Sequence, residues 1–307
     1  MSSSEIRKDY IQEKYVIIAP KRAKRPYQIG EAKPGEAKKI CPFCQENLKK
    51  ANKLLVSGKG EEQIVVVPNK FPAVTMENPK AYGSQEVVVE TLNHSKDLED
   101  HSVKHIANLL EVYSKRTKEI SKNQKIEYIL IFKNSGKIAG VSLLHSHSQI
   151  FATSFLPPHL FDKSQKIQEY KLKHGTCVYC DIIEKEKKSP RFVWEDEHVI
   201  AFCPYAAIHN YEIWIVPKRH LDNVTNLNKK EQYSFAKILK HILNKIKKLG
   251  LPYNYYFHQV IHDEDQHLYM KVVPRGSAWA GVEIGSGVVI NPITPESAAK
   301  YYRDGLK

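Results

Sequence analysis

Apolar and polar positions along this chain follow two patterns that return in the same order. Residues 86–94, EVVVETLNH, are rich in β-branched residues and read as a half-buried strand ending at His94. From about 99 to 123 the period changes, and Ile106, Leu109, Leu110, Tyr113, Thr117 and Ile120 fall on one helical face. Strand-like runs IEYILIF (126–132) and HSHSQIFAT (145–153) follow. The succession then repeats. VIAFCPYAA (199–207) and YEIWIVPKRH (211–220) read as strands. Residues 229–249 read as a helix with Phe235, Ile238, Leu239, Ile242 and Ile246 on one face, and YNYYFHQV (253–260) and HLYMKVVP (267–274) as strands. The pattern predicts an α+β fold built from one duplicated unit, an antiparallel sheet with a long helix packed across it in each half. We divide it at residues 1–160, the N-terminal half with the active-site strand, and 161–307, the C-terminal half plus a C-terminal arm. A basic, proline-containing segment (21–38) precedes the first half, and a polar linker is expected over about 161–176.

Cysteine and histidine landmarks sharpen the repeat. Each half carries a CxxC pair, Cys41/Cys44 and Cys177/Cys180. Cys44 to His94 spans 50 residues and Cys180 to His220 spans 40; His94 to His145 spans 51 and His220 to His267 spans 47. A redox CxxC would need a thioredoxin-like unit around it, and the distance between the two pairs is too long for a single zinc ribbon. Pairing each CxxC with the histidines of its own half gives two Cys₂His₂ sets: Cys41, Cys44, His94 and His145, then Cys177, Cys180, His220 and His267. Zinc takes four such N/S ligands, so the cofactor expected is zinc, two per chain, in closed structural sites. The fifth cysteine, Cys203, reads as an ordinary buried thiol.

His145, His147 and Gln149 stand at i, i+2 and i+4, which on a strand places them on one face. With His145 held by metal, His147 is left to act as nucleophile or base near pH 7. In the second half the metal histidine recurs as His267, while Tyr269 and Lys271 replace His147 and Gln149. One half keeps the reactive histidine. Upstream, FKNSGKIAGVS (132–142) offers glycines for close backbone approach, and Ser142 with N–H groups to hold phosphate oxygens. Arg22 and Arg25 add bidentate cationic donors.

Composition bounds the partners. The 307 residues carry 47 Lys+Arg against 34 Asp+Glu, a formal charge of +13, which asks for anionic company. No apolar run is long enough for a bilayer, and the N-terminal MSSSEIRKDYIQEKY lacks the apolar core of a signal peptide, so a cytoplasmic protein with no membrane partner is expected. A basic zinc module contacting nucleic acid would call for knuckle-sized metal loops. The 40- to 50-residue loops here argue against it, and no nucleic-acid partner is expected.

The combination EIRKD…APKRAKRP, CPFC, NKFPAV, EVVVETLNH, FKNSGKIAGVS, HSHSQ and GVEIGSGVVINPITPE resembles the galactose-1-phosphate uridylyltransferase family of the histidine-triad superfamily, over nearly the whole chain. The resemblance implies a duplicated histidine-triad-like unit and ping-pong transfer through a nucleotidyl-histidine on His147. It implies UMP transfer from UDP-glucose to galactose 1-phosphate or a similar hexose 1-phosphate. It places Gln149 and Ser142 on the transferred phosphate, Asn134 by the nucleotide phosphates or ribose, Asn69 and Phe71 beside the nucleoside, and Arg22 and Arg25 on the phosphates. Glu283 matches the family's hexose-reading glutamate, but Val289 stands near where its glutamine would fall. That ending, with HSHSQ, is similar to the branch that includes ADP-glucose phosphorylase-like proteins, so the second expectation is adenylyl transfer from an ADP-sugar to inorganic phosphate. Histidine-triad hydrolases carry a third histidine where this chain has Gln149; an amide cannot shuttle a proton, which disfavours hydrolysis. The family resemblance further implies a homodimer with the active site at the subunit boundary.

Overall fold

Ten antiparallel strands join both halves of the chain into one sheet. The computed structural model describes residues 5–11, 15–18, 41–79, 81–141, 143–261 and 263–306, and only the backbone of 5–8 and 15–18. After strands β1 (Glu5–Lys8) and β2 (Tyr15–Ile18), the first half comprises the helical turn α1 (Gln45–Leu48), β3 (Leu55–Ser57), β4 (Ile64–Pro68), β5 (Gly83–Val89), α2 (Val103–Ile120), β6 (Tyr128–Ser135) and β7 (His147–Thr153). Two helices, α3 (Pro158–His174) and α4 (Val178–Lys187), connect the halves. The second half comprises β8 (Phe192–Glu195), β9 (Val199–Phe202), β10 (Ile213–Pro217), α5 (Lys229–Lys248), β11 (Tyr253–His258) and β12 (Tyr269–Pro274). The C-terminal arm adds α6 (Gly281–Ser286), β13 (Val289–Asn291) and α7 (Pro295–Arg303), and β13 pairs with β2 in a small three-stranded sheet.

The strand order is β3-β4-β5-β7-β6-β11-β12-β10-β9-β8. The five strands of one half recur in reverse in the other, so β6 pairs antiparallel with its own counterpart β11, with Asn254 opposite Asn134. This is the duplicated antiparallel unit that the hydrophobic pattern predicts. The two long helices pack together across one sheet face. Leu109, Leu110 and Tyr113 of α2 and Ile238, Leu239 and Ile242 of α5 share one buried cluster with Ile129, Ile131 and Ile150 of the sheet. Burial of these apolar faces, at about 25 cal/mol per Å², is the main force holding helix to strand. Each helix begins where its sequence supplies a cap: the Ser102 hydroxyl accepts from the His105 N–H, and the Asn228 side chain accepts from the N–H groups of Lys230 and Glu231.

One expectation changes. The stretch expected as a polar linker at about 161–176 is helix α3, which stops at Gly175 in the left-handed region (φ 73°). Its apolar signal is sparse: Leu160 and Ile167 are buried while Leu172 is 89% exposed, so composition reads as loop although one narrow stripe still packs. Cys203 is fully buried in the main core as expected, and burial raises its thiol far above the ordinary value. No helix among the described residues is long and apolar enough to cross a membrane.

Candidate functional site

Strands β5 and β7 bring the first Cys₂His₂ set together. Val89 pairs with His147, so the chain leaving β5 carries His94 to the corner where His145 enters β7. There the turn before α1 presents Cys41 and Cys44, and one ligand atom of each of the four residues lies within 4.8 Å of the others. The Nδ1 of His145 is 3.6 Å from Cys41 Sγ and 3.9 Å from Cys44 Sγ, and His94 Nδ1 is 3.4 Å from Cys44 Sγ. His145 Nε2 donates to the Thr91 carbonyl at 2.7 Å. A carbonyl only accepts, so the proton is on Nε2 and Nδ1 keeps its lone pair toward the sulfurs. The second set repeats this arrangement. Cys180 Sγ lies 3.6 Å from His220 Nδ1 and 3.8 Å from His267 Nδ1, while His220 Nε2 and His267 Nε2 donate to the carbonyls of Glu264 and Pro217. A hydrogen bond from Cys180 lowers the Cys177 thiol to about 3, and the same bond, with burial, raises that of Cys180. Both donor sets fit a tetrahedral N/S-coordinated ion.

The ladder of β7 starts at His147, two residues later than the pattern of HSHSQIFAT predicts. His145 lies in the bend ahead of it, and that bend has a chemical consequence. With its ring turned to the cysteines, its carbonyl accepts from His147 Nδ1 at 2.8 Å. His147 is therefore protonated on Nδ1 and carries its free lone pair on Nε2. Burial lowers its basicity, with the His145 carbonyl opposing, so the imidazole is neutral near pH 7.

Gln149 is oriented by a chain of amides. The Phe71 N–H donates to Asn69 Oδ1 and the Ala73 N–H to Gln85 Oε1, which turns the amino groups of Asn69 and Gln85 onto Gln149 Oε1 at 3.3 and 2.9 Å. With its oxygen taken twice, Gln149 offers N–H donors to anything bound beside His147. Asn134 is set similarly, its Oδ1 accepting from Asn254 of β11 at 2.7 Å while Arg275 donates to Asn254 Oδ1. His147 and Asn134 line one cavity of about 330 Å³ with Lys133, Ser135, Gly136 and Val141. Gly136 has φ 87°, and a Cβ there would stand 2.7 Å from Pro252 Cβ, so the turn that walls this cavity requires glycine.

Beneath the cavity lies a charge pair that motif reading missed. Lys133 Nζ donates to Glu90 Oε2 at 2.6 Å and to Ser146 Oγ at 2.8 Å, and Ser146 donates to the same carboxylate oxygen at 2.7 Å. Both charges are fully buried. Burial alone would raise the Glu90 carboxyl, but Lys133 and the hydrogen bonds from Lys133, Ser146 and Ser148 hold it below the usual range. The signal available was a lysine and a glutamate inside otherwise apolar strands, the kind that is buried only when paired.

Other expected residues stand apart. Phe71 is 84% exposed beside Asn69. Glu283 sits on α6, accepts from the Ala280 and Ile290 N–H groups, and does not line the His147 cavity of this chain. Arg22, Arg25 and Ser142 lie outside the described residues.

A duplicated α+β sheet in which a Cys₂His₂ corner leads into the strand carrying His147 is the architecture of the histidine-triad superfamily. Residues 25–155 match the model of a domain of unknown function, DUF4931 N-terminal domain, and residues 163–274 that of the galactose-1-phosphate uridyl transferase C-terminal domain. The chain is 33% identical to an ADP-glucose phosphorylase of Arabidopsis thaliana, over 98% of this chain and 93% of that protein. It is 31% identical to a galactose-1-phosphate uridylyltransferase of Thermotoga maritima, over 98% of each. A crystal structure of an Arabidopsis ADP-glucose phosphorylase with bound ADP-glucose superposes with a TM-score of 0.88 at 31% identity, covering 100% of both chains. The chain belongs to the galactose-1-phosphate uridylyltransferase family, in its ADP-glucose phosphorylase-like branch.

Lys133→Met leaves the Glu90 carboxylate buried without its cation and is expected to cost about 3–5 kcal/mol of stability. Adding Glu90→Gln should restore much of that loss. Urea unfolding of the single and double variants checks this; additive losses would show that the two residues are not coupled.

Proposed function

We propose that this chain is a nucleotidyltransferase that carries a nucleoside monophosphate on His147 Nε2. The observation that carries the proposal is the 2.8 Å bond from His147 Nδ1 to the His145 carbonyl, which leaves Nε2 as the free lone pair of a neutral ring. In the first half-reaction Nε2 attacks the α-phosphorus of a nucleotide-sugar. The N–P bond forms, the bond from that phosphorus to the bridging oxygen breaks, and sugar 1-phosphate leaves. In the second, an oxygen of a phosphate acceptor attacks the same phosphorus, the N–P bond breaks, and neutral His147 returns. Neither step needs a net proton, in keeping with an amide at Gln149, which donates hydrogen bonds to the phosphoryl oxygens and does not titrate. Asn134 orients the nucleotide phosphates, while Asn69 and Phe71 border the nucleoside.

The first reading of substrates is UDP-glucose as donor and galactose 1-phosphate or a similar hexose 1-phosphate as acceptor. The second is an ADP-sugar with inorganic phosphate, favoured by Val289 where the hexose-reading glutamine would fall and by the fit to the structure holding ADP-glucose. Cys41, Cys44, His94 and His145 would hold one zinc ion, and Cys177, Cys180, His220 and His267 a second; with four protein ligands at each, the ions would supply rigid positioning and not a place for substrate. We place the working enzyme as a cytoplasmic homodimer in which the arm carrying Glu283, with Trp279, Val282 and Ile284 exposed beside it, closes the partner's site.

Intact-mass measurement after mixing with UDP-glucose, ADP-glucose or GDP-mannose, without acceptor, tests the reaction. The protein should gain one UMP, and His147→Asn should gain nothing. An AMP adduct instead selects the second reading, and no adduct with any donor on zinc-containing protein overturns the mechanism. Metal analysis of freshly purified protein should return two zinc per chain and Cys44→Ala one; less than one in the parent contradicts the first set.

A further inference from the structure

A third group of metal-ligating side chains lies outside both Cys₂His₂ sets. Glu62 closes a 3₁₀ turn before β4, His101 follows the 3₁₀ turn Leu98–Asp100, and His105 stands in the first turn of α2. One ligand atom of each lies within 4.8 Å of the other two. The imidazole rings of His101 and His105 are 4.4 Å apart between centroids.

Two features point to a cation. His105 Nε2 donates to the Glu90 carbonyl at 2.8 Å. A carbonyl only accepts, so His105 Nδ1 is left with a lone pair. This is the tautomer-fixing pattern that His145, His220 and His267 show in the Cys₂His₂ sets, each bonding a backbone carbonyl through Nε2 and turning Nδ1 to its co-ligands. Second, His101 Nε2 is buried and has no hydrogen-bond partner among the described residues, although the ring is only 3% exposed. A buried polar nitrogen left without a partner is uncommon and asks for a ligand. Glu62 is exposed, and with His105 it lines an open groove of about 650 Å³, which gives an ion a path in.

We propose that Glu62, His101 and His105 form a third metal site that takes a first-row divalent cation. Two imidazoles and one carboxylate, with no thiolate, suit zinc, cobalt or nickel and leave coordination places for water. The site ties two segments to the start of α2, whose Ser102 cap holds the His105 N–H at 3.1 Å, while Lys240 of α5 grips the His101 carbonyl. Through the Glu90 carbonyl it also reaches the residue that pairs with Lys133 under the His147 cavity. The proposal does not rest on the nucleotidyl reaction.

The test is titration with Co²⁺ of the full chain holding one zinc ion in each Cys₂His₂ set and none beyond them, followed by calorimetry and absorption. One further equivalent should bind, with ligand-field bands and no thiolate-to-cobalt charge transfer, and melting should rise by at least about 2 °C. Glu62→Gln, an exposed change that leaves the core alone, should weaken this binding at least tenfold, and His101→Asn should abolish it. Retention of both Cys₂His₂ zinc ions in each variant separates loss of this site from general unfolding. Unchanged Co²⁺ affinity in both variants, or no third equivalent in the parent, overturns the proposal.

Discussion

The site depends on one hydrogen bond, from His147 Nδ1 to the backbone carbonyl of His145. It can form because His145 lies in a bend before β7, and the bend is held from both sides. Thr91 accepts from the ring at one nitrogen, and Cys41 and Cys44 face the other. The Cys₂His₂ corner thereby acts on the next histidine through the backbone. It fixes which nitrogen of His147 bears the proton, and under the proposed mechanism the lone pair that remains is the one that attacks. Rigid support of this kind lowers the entropy cost of reaching an attack geometry.

The second half repeats the Cys₂His₂ support without a histidine in the place of His147. His267 holds the place of His145 and bonds the Pro217 carbonyl, so the ligand corner is intact. Tyr269 stands where His147 would, stacked on Trp214 with centroids 4.5 Å apart, and its hydroxyl accepts from Lys163 of α3 at 2.6 Å. Ile167 of α3 and Val178, Ile182 and Ile183 of α4 pack on that face with Trp214 and Tyr269. The helices between the halves therefore cover one copy of the sheet face. Lys271, the counterpart of Gln149, is neutralised by Glu212 at 2.8 Å. A second copy of the unit has become core.

The clustering of the two Cys₂His₂ sets was legible in the chain because CxxC pairs and strand-end histidines recur with similar spacing, and distance in sequence was enough to sort them. His147 and Gln149 were legible for the same reason, as neighbours on one short strand. The residues that orient them were not. Gln85 reaches Gln149 from β5, Asn254 reaches Asn134 across the junction of the halves, and Glu90 reaches Lys133 across β7, so each depends on strand register and not on local pattern. Helix α3 escaped notice because a narrow apolar stripe diluted by lysine looks like a linker. Glu283 matched the family's motif, yet in this chain its carboxylate caps its own helix.

Histidine-selective ¹⁵N NMR of the metal-loaded protein near pH 7 reads the tautomer of His147. A protonated, pyrrole-type Nδ1 and an unprotonated Nε2 are expected. A resting His147 protonated on Nε2, or one averaging between the two tautomers, would contradict the account.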